Sequence, residues 1–374
     1  MNEQLAQIRQ KINQTDEQLS HYFSQRMDLV AHVAKIKEEE GLPVYDPERE
    51  AQVLERVSQA AGEEKAPYLR RVYQSLMDAS KDYERDLMKS RSCDREKTED
   101  AFPRQPKVAC QGVAGAFSGE AARRMFPDGT LVFVPTWEEA FQKVSLGECD
   151  FAALPVENSL AGSVGQVYDL LLQYRLTISR ACRLPVEQNL LAMPGATLDD
   201  ITEIYSHPQG LAQCKKFCAG LAQARTIPME NTAAAAKMVA ALGDVHKAAI
   251  ASSYCAEIYG LEILAPNIQT AAHNTTRFVA VSQEHFHTMH CNKISLVFSL
   301  PHQPGALNRL LSQFAALELN LTKIESRPVS GKSFEYYFYL DFSGNTSSTL
   351  IQQLMERLSQ ELPAFTFLGN YEEI

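Results

Sequence analysis

Three short segments of the chain place hydroxyl, amide and charged side chains where predicted strands end. They read Leu154-Pro155-Val156-Glu157-Asn158-Ser159, His273-Asn274-Thr275-Thr276-Arg277-Phe278 and Glu325-Ser326-Arg327-Pro328. Ligands of α/β proteins bind at such strand ends, and a threonine hydroxyl beside an arginine suits acid-assisted loss of water from an anionic substrate. Taken singly, Asn158 or Ser159 could instead cap a helix, and Arg277 could be an ordinary charged residue at the edge of a sheet.

A second set of charged residues lies on a predicted N-terminal helix. Apolar residues recur at helical spacing from Leu5 to Lys37 without Gly or Pro, which predicts one helix about 50 Å long. Arg26 and Lys37 share a face and lie about 16 Å apart along the axis, so both can reach one ligand. Arg9 lies about 42 Å from Lys37, so it can join them only from a second subunit. The spacing therefore predicts an intertwined dimer, although Arg26 alone could also form an intersubunit salt bridge or extend to solvent.

Two further helices offer carboxyl and hydroxyl groups to the same ligand. Asp46 is a natural N-cap before Pro47, and a second helix is expected to end at Gly62. A third is expected to start after Pro67 and to end near Lys89. Asp46, Arg49 and Glu50 share one helix face, as do Ser80 and Glu84. Together with the cations, these groups suit a substrate with two carboxylates.

The remainder of the chain shows two changes of pattern. Residues 91–106 are polar and end in prolines, which indicates a linker. Short apolar runs then alternate with helices, which predicts an α/β domain with parallel strands; its candidate strands are 108–111, 131–134, 151–154, 203–206, 248–251 and 277–282. From Lys293 the predicted order is strand, helix, strand, strand, helix, strand, the ferredoxin-like arrangement.

Composition narrows the class of protein. The chain has 374 residues, a formal net charge of -10 and no apolar run of 18 residues, so neither a nucleic-acid partner nor a membrane span is expected. Eight scattered cysteines fit no disulfide framework, which favours a cytoplasmic location with reduced thiols. The Gly112–Gly115 loop lacks a nucleotide-binding motif. His285, His287, His290 and Cys291 could bind a metal, but a solvated hinge loop is favoured, and no cofactor is predicted.

In their order along the chain, the three segments resemble the motifs of prephenate dehydratases. The resemblance implies a two-lobed α/β domain, similar to periplasmic binding proteins, that converts prephenate to phenylpyruvate with loss of water and carbon dioxide. It implies that Thr276 is the hydroxyl at the reacting centre and that Glu157 is also catalytic. It further implies that Arg277 binds a carboxylate or holds the site together, and that the substrate contacts Asn158, Ser159, Gln209, Thr232 and Phe278.

The N-terminal charges resemble those of the all-helical chorismate mutases. This implies a pericyclic rearrangement of chorismate to prephenate, in which Arg9 and Arg26 hold carboxylates. Lys37 and residue 84 would flank the ether oxygen and Glu50 would bind the ring hydroxyl; the remaining matches are Asp46, Arg49 and Ser80. Position 84 departs from many relatives, which carry Gln there. An ionised Glu84 cannot donate a hydrogen bond, so mutase activity is expected to require its protonated form.

Nearly the whole chain thus resembles the bifunctional chorismate mutase/prephenate dehydratases with a C-terminal ACT domain. The implied architecture is an all-α helical dimer domain (1–90), a linker (91–106), an α/β dehydratase domain (107–284) and an α+β ACT domain (293–374). The ACT domain would bind phenylalanine as a feedback inhibitor through Gly305, Ala306, Leu307, Asn308, Glu325, Ser326, Arg327 and Pro328. The implied partners are chorismate, prephenate, phenylalanine and further copies of the chain, as a homodimer or higher oligomer. Two alternatives stay open: a dehydratase whose helical domain only dimerises, and a non-catalytic amino-acid sensor.

Overall fold

The computed structural model describes residues 2–42, 44, 46–89, 102–271, 274–286, 288–329 and 335–374. The chain divides into two units, one ending at Glu96 and one beginning at Lys97. Most of the predicted linker lies outside the described residues, as do His273 and His287. No helix in the described part of the chain has the length and apolar character that a membrane span would need.

The N-terminal unit consists of two long helices, α1 (Asn2–Glu40) and α2 (Pro47–Lys89). The predicted first helix and the break at Gly62 are confirmed, because Gly62 has φ 73° and ψ 159° inside α2. The prediction that a third helix starts only after Pro67 is wrong, since the helix resumes directly after the kink at Gly62. Pro67 lies near the start of the resumed helix, the end at which proline is tolerated.

Only part of the apolar stripe of α1 is covered within one chain. Val30 and Ala34 are buried, as are Val57 and Met77 on α2. Most other apolar residues of α1 are 41–67% exposed, namely Leu5, Ile8, Ile12, Leu19, Tyr22, Phe23, Leu29, Val33 and Ile36. Such a long exposed apolar face is typical of a surface that another chain covers.

The second unit begins with the first lobe of an α/β domain. Its elements are β1 (Lys107–Gln111), α3 (Phe117–Met125), β2 (Thr130–Val134), α4 (Trp137–Ser145), β3 (Phe151–Asn158), β4 (Gly162–Ser163), α5 (Gly165–Tyr174) and β5 (Thr177–Pro185). β1 pairs in parallel with β2 and with β3. The apolar face of α4 packs on this sheet through Ala140, Phe141 and Val144.

The chain then forms a second lobe and returns to the first. The second lobe contains β6 (Asn189–Ala192), β7 (Glu203–Ser206), α6 (Pro208–Gln213), α7 (Lys215–Gly220), β8 (Arg225–Pro228), α8 (Thr232–Leu242), β9 (Lys247–Ala251), α9 (Ser253–Tyr259) and β10 (Glu262–Ala265). Its strand order is β10-β6-β9-β7-β8. The returning strand β11 (Thr275–Ser282) inserts between β3 and β5 of the first lobe.

The predicted strands are confirmed, but the expectation of parallel sheets is only partly correct. β11 is antiparallel to both β3 and β5, and β6 is antiparallel to β9. At these strands the chain passes from one lobe to the other. They are not joined to their neighbours by a helical crossover, which is the connection that makes adjacent strands parallel. Sequence patterning missed β4, β5, β6, β8 and β10.

The last segment forms the predicted βαββαβ unit. Its elements are β12 (Lys293–Ser299), α10 (Ala306–Ala316), β13 (Leu321–Pro328), β14 (Tyr336–Ser343), α11 (Thr349–Glu361) and β15 (Thr366–Glu373). β15 pairs in parallel with β5, so one sheet runs through both domains in the order β13-β14-β12-β15-β5-β11-β3-β1-β2. One apolar core joins Val279 and Val281 of β11 to Val297, Tyr339 and Tyr371 of the C-terminal domain.

Candidate functional site

Four of the residues selected from the helical unit meet between α1 and α2. Arg26 donates to Ser80 Oγ, and Lys37 Nζ lies 3.0 Å from Glu84 Oε2 and 2.8 Å from the Val44 carbonyl oxygen. Ser80 and Glu84 are buried on one face of α2, four residues apart. Arg26, Lys37, Ser80 and Glu84, which helical spacing singled out, therefore lie together in the folded chain.

The Arg26 guanidinium at this cluster has N–H groups that an anionic ligand can accept from. Burial lowers the pKa of Arg26, while Tyr73 and Glu84 act in the opposite direction. Within the described residues the only hydrogen-bond partner of its guanidinium is Ser80, so further N–H groups can bind a carboxylate.

Glu50 has a partner that the sequence reasoning missed. Lys81 Nζ lies 2.7 Å from Glu50 Oε1 and 2.9 Å from Asp78 Oδ1. Burial lowers the pKa of Lys81, but the hydrogen bonds to Glu50 and Asp78 outweigh it and the net shift is upward. The spacing of Asp78 and Lys81, three residues apart on a helix, was the available signal.

The remaining selected residues of this unit lie on its surface. Asp46 caps α2, since its Oδ1 accepts a hydrogen bond from the Arg49 backbone nitrogen at 2.9 Å. Arg49 and Arg9 are exposed. Because α1 is continuous, Arg9 remains about 42 Å along the axis from Lys37. One chain therefore does not bring Arg9 to the cluster.

In the second unit, the centre of the candidate site is the side chain of Asn158 at the end of β3. Its Oδ1 accepts hydrogen bonds from the backbone nitrogens of Leu160 (3.0 Å) and Ala161 (2.9 Å). Its Nδ2 donates to Asn274 Oδ1 at 2.7 Å and to Thr276 Oγ1 at 2.9 Å. Cross-strand pairing of Asn158 with Thr276 places these groups side by side.

This network fixes what the Thr276 hydroxyl can do. Its oxygen accepts from Asn158, and its proton has no acceptor among the residues that the structure describes, so the proton can be donated to a ligand. The side chain is 8% exposed, which strengthens a hydrogen bond made there. Thr276 is therefore oriented as a hydrogen-bond donor, the role that assisted loss of a hydroxyl group requires.

Ser159 and Glu157 flank Asn158 but have different surroundings. The Ser159 Oγ accepts a hydrogen bond from the Thr275 backbone nitrogen at 3.0 Å, so it fastens β3 to β11. The Glu157 side chain is 40% exposed, and its Oε2 lies 3.6 Å from the Nζ of Lys323. Lys323 belongs to β13 of the C-terminal domain, so this carboxylate is paired across the domain boundary.

Gln209 and Thr232 lie on the second lobe. Gln209 follows His207, whose Nδ1 accepts from the Gln209 backbone nitrogen at 3.2 Å, so His207 caps α6. Thr232 begins α8, and its methyl group lies next to Gly210. Both residues therefore lie at the carboxyl ends of β7 and β8, the side of a sheet where ligands bind.

A cavity of about 290 Å³ lies beside the Asn158 network. Residues of both lobes line it, namely Leu160, Ala212, Gln213, Gln269, Thr270, Ala271 and Asn274. Leu160 and Asn274 are direct hydrogen-bond partners of Asn158, so the cavity and Thr276 are separated by one amide side chain.

The contacts of Arg277 fit the second of the two roles that the resemblance implies, which is to hold the site together. Strand residues alternate between faces, and Arg277 points away from Thr276 into the C-terminal domain. Its guanidinium nitrogens lie 2.5 Å from Asp341 Oδ2 and 2.5 Å from the Tyr371 hydroxyl. Its Nε lies 2.6 Å from Glu373 Oε2, a close ion pair without hydrogen-bond geometry. Burial lowers the pKa of Arg277, but Tyr371, Asp341 and Glu373 raise it above its ordinary range.

Phe278 is likewise a core residue and not a wall of the cavity. It is 3% exposed and packs with Phe151, Cys182 and Phe286 beneath α3. The resemblance implied that Phe278 contacts substrate, but its packing partners come from distant segments of the chain.

The residues selected for regulation lie in two places. Gly305 has φ 80° and is the N-cap of α10, with Ala306 buried and Asn308 exposed behind it. Leu307, also on α10, is half-buried. On β13, burial alternates, so Glu325 and Arg327 face the dehydratase lobe while Ser326 and Pro328 are exposed.

Strand β13 contacts the dehydratase lobe next to β3. Glu325 accepts from Ser163 Oγ, and Arg327 donates to the carbonyl oxygen of Gly165. A side chain at Gly165 would overlap the Arg327 guanidinium at about 2.5 Å. Lys323, which the sequence reasoning missed, donates to Ser163 Oγ at 2.7 Å and lies 5.1 Å above the Tyr168 ring. Only the fold brings these segments together.

The histidine cluster between the domains has packing partners in the C-terminal domain. The His285 ring centroid lies 5.0 Å from that of Phe367, and Cys291 Sγ lies 3.4 Å from the Asn370 carbonyl oxygen. In the part of the chain that the structure describes, no group of three potential metal-binding side chains occurs.

Two family models match the chain. The prephenate dehydratase model covers residues 108–286, and the chorismate mutase type II model covers residues 8–85. The chain is 40% identical over 281 residues to the chloroplastic arogenate dehydratase/prephenate dehydratase 1 of Arabidopsis thaliana, with 71% of each protein covered.

Two further relatives extend this comparison. The bifunctional chorismate mutase/prephenate dehydratase of Aquifex aeolicus is 28% identical over 377 residues, covering 99% of this chain and 98% of that protein. The crystal structure of a prephenate dehydratase from Arthrobacter aurescens in complex with L-Phe has a TM-score of 0.63 and 31% identity, covering 71% of this chain and 90% of that one.

Proposed function

The chain belongs to the prephenate dehydratase family, with a type II chorismate mutase domain ahead of it, and on this premise we propose which residues carry each reaction. It is a bifunctional enzyme: it rearranges chorismate to prephenate, and it dehydrates and decarboxylates prephenate to phenylpyruvate. The rearrangement needs no covalent intermediate, whereas the second reaction needs a hydrogen-bond donor at the leaving hydroxyl.

In the mutase site, the cationic side chains of α1 bind the substrate carboxylates and stabilise the charge that builds on the ether oxygen. Arg26 binds one carboxylate, and Arg9 of a second copy binds the other. Lys37 and Glu84 flank the ether oxygen, on which charge builds as its bond breaks. Glu50, held by Lys81, accepts from the ring hydroxyl. The observation that carries this assignment is the convergence of Lys37 and Glu84 beside Arg26 and Ser80.

The mutase site requires a homodimer in this proposal. Two observations support a second copy: the apolar residues along α1 are largely exposed, and Arg9 is too far from Lys37 on one helix. An antiparallel second α1 would cover the stripe and bring its Arg9 to the cluster. A cytoplasmic location and an oligomer larger than a dimer stay predictions; the described cysteines are free thiols.

In the dehydratase site, Thr276 is the donor to the leaving group. The bond between the ring carbon and the hydroxyl oxygen breaks, its electron pair leaves with oxygen, and a proton completes water. The bond to the ring carboxylate breaks in the same process, its electron pair enters the ring and carbon dioxide leaves. The observation that carries this role is the Asn158 amide, which occupies the Thr276 oxygen and frees its proton. Glu157, Ser159, Gln209 and Thr232 surround the site in this proposal.

The test compares Thr276→Val with Thr275→Val. Valine keeps the shape of threonine without the hydroxyl, so kcat with prephenate should fall by about 10²- to 10⁴-fold in Thr276→Val. Thr275→Val makes the same change one residue earlier and should leave kcat unchanged. Wild-type kcat in Thr276→Val would contradict the assignment. Arogenate should be assayed in parallel, since the Arabidopsis relative is named for both substrates.

Phenylalanine is the proposed feedback inhibitor, acting through the C-terminal domain. Two observations support this: a related dehydratase binds L-Phe, and β13 contacts the lobe that carries Glu157. A ligand that favours one arrangement of β13 could thereby change the site. Lys323→Met should retain turnover of prephenate but raise the phenylalanine concentration for half inhibition on the order of 10-fold. Unchanged inhibition would show that this contact does not transmit the signal.

A further inference from the structure

In the Asn274 side-chain amide, the oxygen has a hydrogen-bond partner and the nitrogen has none among the described residues. Backbone N–H groups fix the Asn158 Oδ1 as an acceptor, so Asn158 Nδ2 must donate, and the atom of Asn274 that it reaches at 2.7 Å must be oxygen. The Asn274 Nδ2 is therefore on the other side. It is buried and has no hydrogen-bond acceptor among the described residues.

A buried donor without an acceptor is unfavourable, and this one belongs to a residue that lines the cavity. Leaving such a group unsatisfied costs about 1–3 kcal/mol, yet Asn274 is only 6% exposed and lines the 290 Å³ cavity beside Thr276. Its Oδ1 and the Thr276 Oγ1 share one donor, Asn158 Nδ2, so the two free donors of Asn274 and Thr276 lie close together.

The chemistry of the cavity wall matches an anion held by neutral amides. No lysine or arginine is among the residues that line it in the described part of the chain. A second amide is oriented in the same manner, because Gln269 Oε1 accepts from the Gln188 backbone nitrogen at 2.9 Å and its amino group remains to donate. Amide donors thus replace the cations that a carboxylate would otherwise meet.

We propose that Asn274 is a substrate-binding residue of the dehydratase site, whose Nδ2 donates to a carboxylate oxygen of the substrate, with Gln269 as a second amide donor. This inference rests on the proposed dehydratase site and adds to it the group that binds the anion. Asn274 then has two roles: its oxygen supports Asn158, and its nitrogen binds substrate. The orphaned donor is satisfied only when the substrate is present.

The experiment replaces the donor without disturbing Asn158. Asn274→Asp keeps an oxygen for Asn158 Nδ2 and places a carboxylate oxygen where the nitrogen was. KM for prephenate should rise by about 10- to 100-fold, the loss expected for a hydrogen bond to a charged group, while kcat changes little. If Asn274 only positions Asn158, the variant should keep the wild-type KM. That result would overturn the proposal.

Two further variants make the outcome decisive. Gln269→Glu keeps the acceptor for the Gln188 backbone nitrogen and should raise KM for prephenate in the same way. Gln269 is only half-buried, so this variant tests the proposal if thermal unfolding shows that Asn274→Asp does not fold. Asn320→Asp adds the same charge at an exposed site and should behave as wild type. Absence of prephenate turnover in the wild-type enzyme would contradict the proposed function, whereas wild-type KM in both cavity variants would overturn only this inference.

Discussion

Replacing Arg277 by methionine should destabilise the second unit without weakening substrate binding. The guanidinium contacts Asp341, Tyr371 and Glu373, and its side chain is 8% exposed. Removing one partner of a buried ion pair costs about 3–5 kcal/mol because the other charge remains buried. At about 2–4 °C per kcal/mol for a domain of this size, the melting temperature should fall by about 6–20 °C.

The assay combines thermal unfolding with kinetics at a temperature where the variant remains folded. KM for prephenate should stay near the wild-type value, because the guanidinium faces the C-terminal domain and not the cavity. A substrate-binding arginine would behave in the opposite way, with a KM raised by roughly 10-fold or more and little loss of stability. That pattern would refute the reasoning.

A matched variant separates the ion pair from the rest of the side chain. Asp341→Leu removes the other charge, and the double variant Arg277→Met/Asp341→Leu removes both without leaving either one buried alone. The double variant should be more stable than the sum of the two single losses predicts, because residues in contact do not act additively. Strict additivity would mean that the 2.5 Å contact contributes nothing to stability.

Three other predictions follow from particular contacts. Glu84→Gln should raise mutase kcat at neutral pH, because an amide can donate to the ether oxygen whereas a carboxylate paired with Lys37 cannot; an unchanged or lower kcat would contradict this role of residue 84. Leu19→Glu on the exposed stripe of α1 should convert a dimer to monomers in sedimentation and abolish mutase turnover while prephenate turnover continues; a dimer with full mutase activity would rule out that interface. Burial raises the pKa of Glu373, but Arg277 and Lys293 outweigh it and lower the pKa overall, so its contribution to stability is present at neutral pH and lost as pH falls below the ordinary glutamate range. Glu373→Gln should therefore reduce the acid dependence of unfolding measured by urea titration, and an equal dependence in both proteins would argue against it.

The sequence alone determined the first helix, six strands of the dehydratase domain, the βαββαβ unit and the residue types of both sites. Uninterrupted helical spacing predicted α1, and alternation predicted the βαββαβ unit, because these patterns are local. The cluster of Arg26, Lys37, Ser80 and Glu84 was also predictable, since helical geometry relates residues on one face. The sequence predicted parallel strands, but β11 returns from the second lobe and pairs antiparallel with β3 and β5.

Tertiary structure alone decided which neighbours each site residue has. Thr276 and Arg277 are adjacent in sequence, yet Thr276 contacts the Asn158 side chain and Arg277 contacts the C-terminal domain, because strand residues alternate and a second domain covers one face. Asn274 gained its role from the direction of the Asn158 amide, which the backbone of residues 160–161 fixes. Lys323 meets Glu157 only because one sheet runs through both domains. The side-chain contacts of Arg277 with Asp341, of Asn158 with Thr276 and of Lys323 with Glu157 join residues at least 64 positions apart, and local patterns carry no information about them.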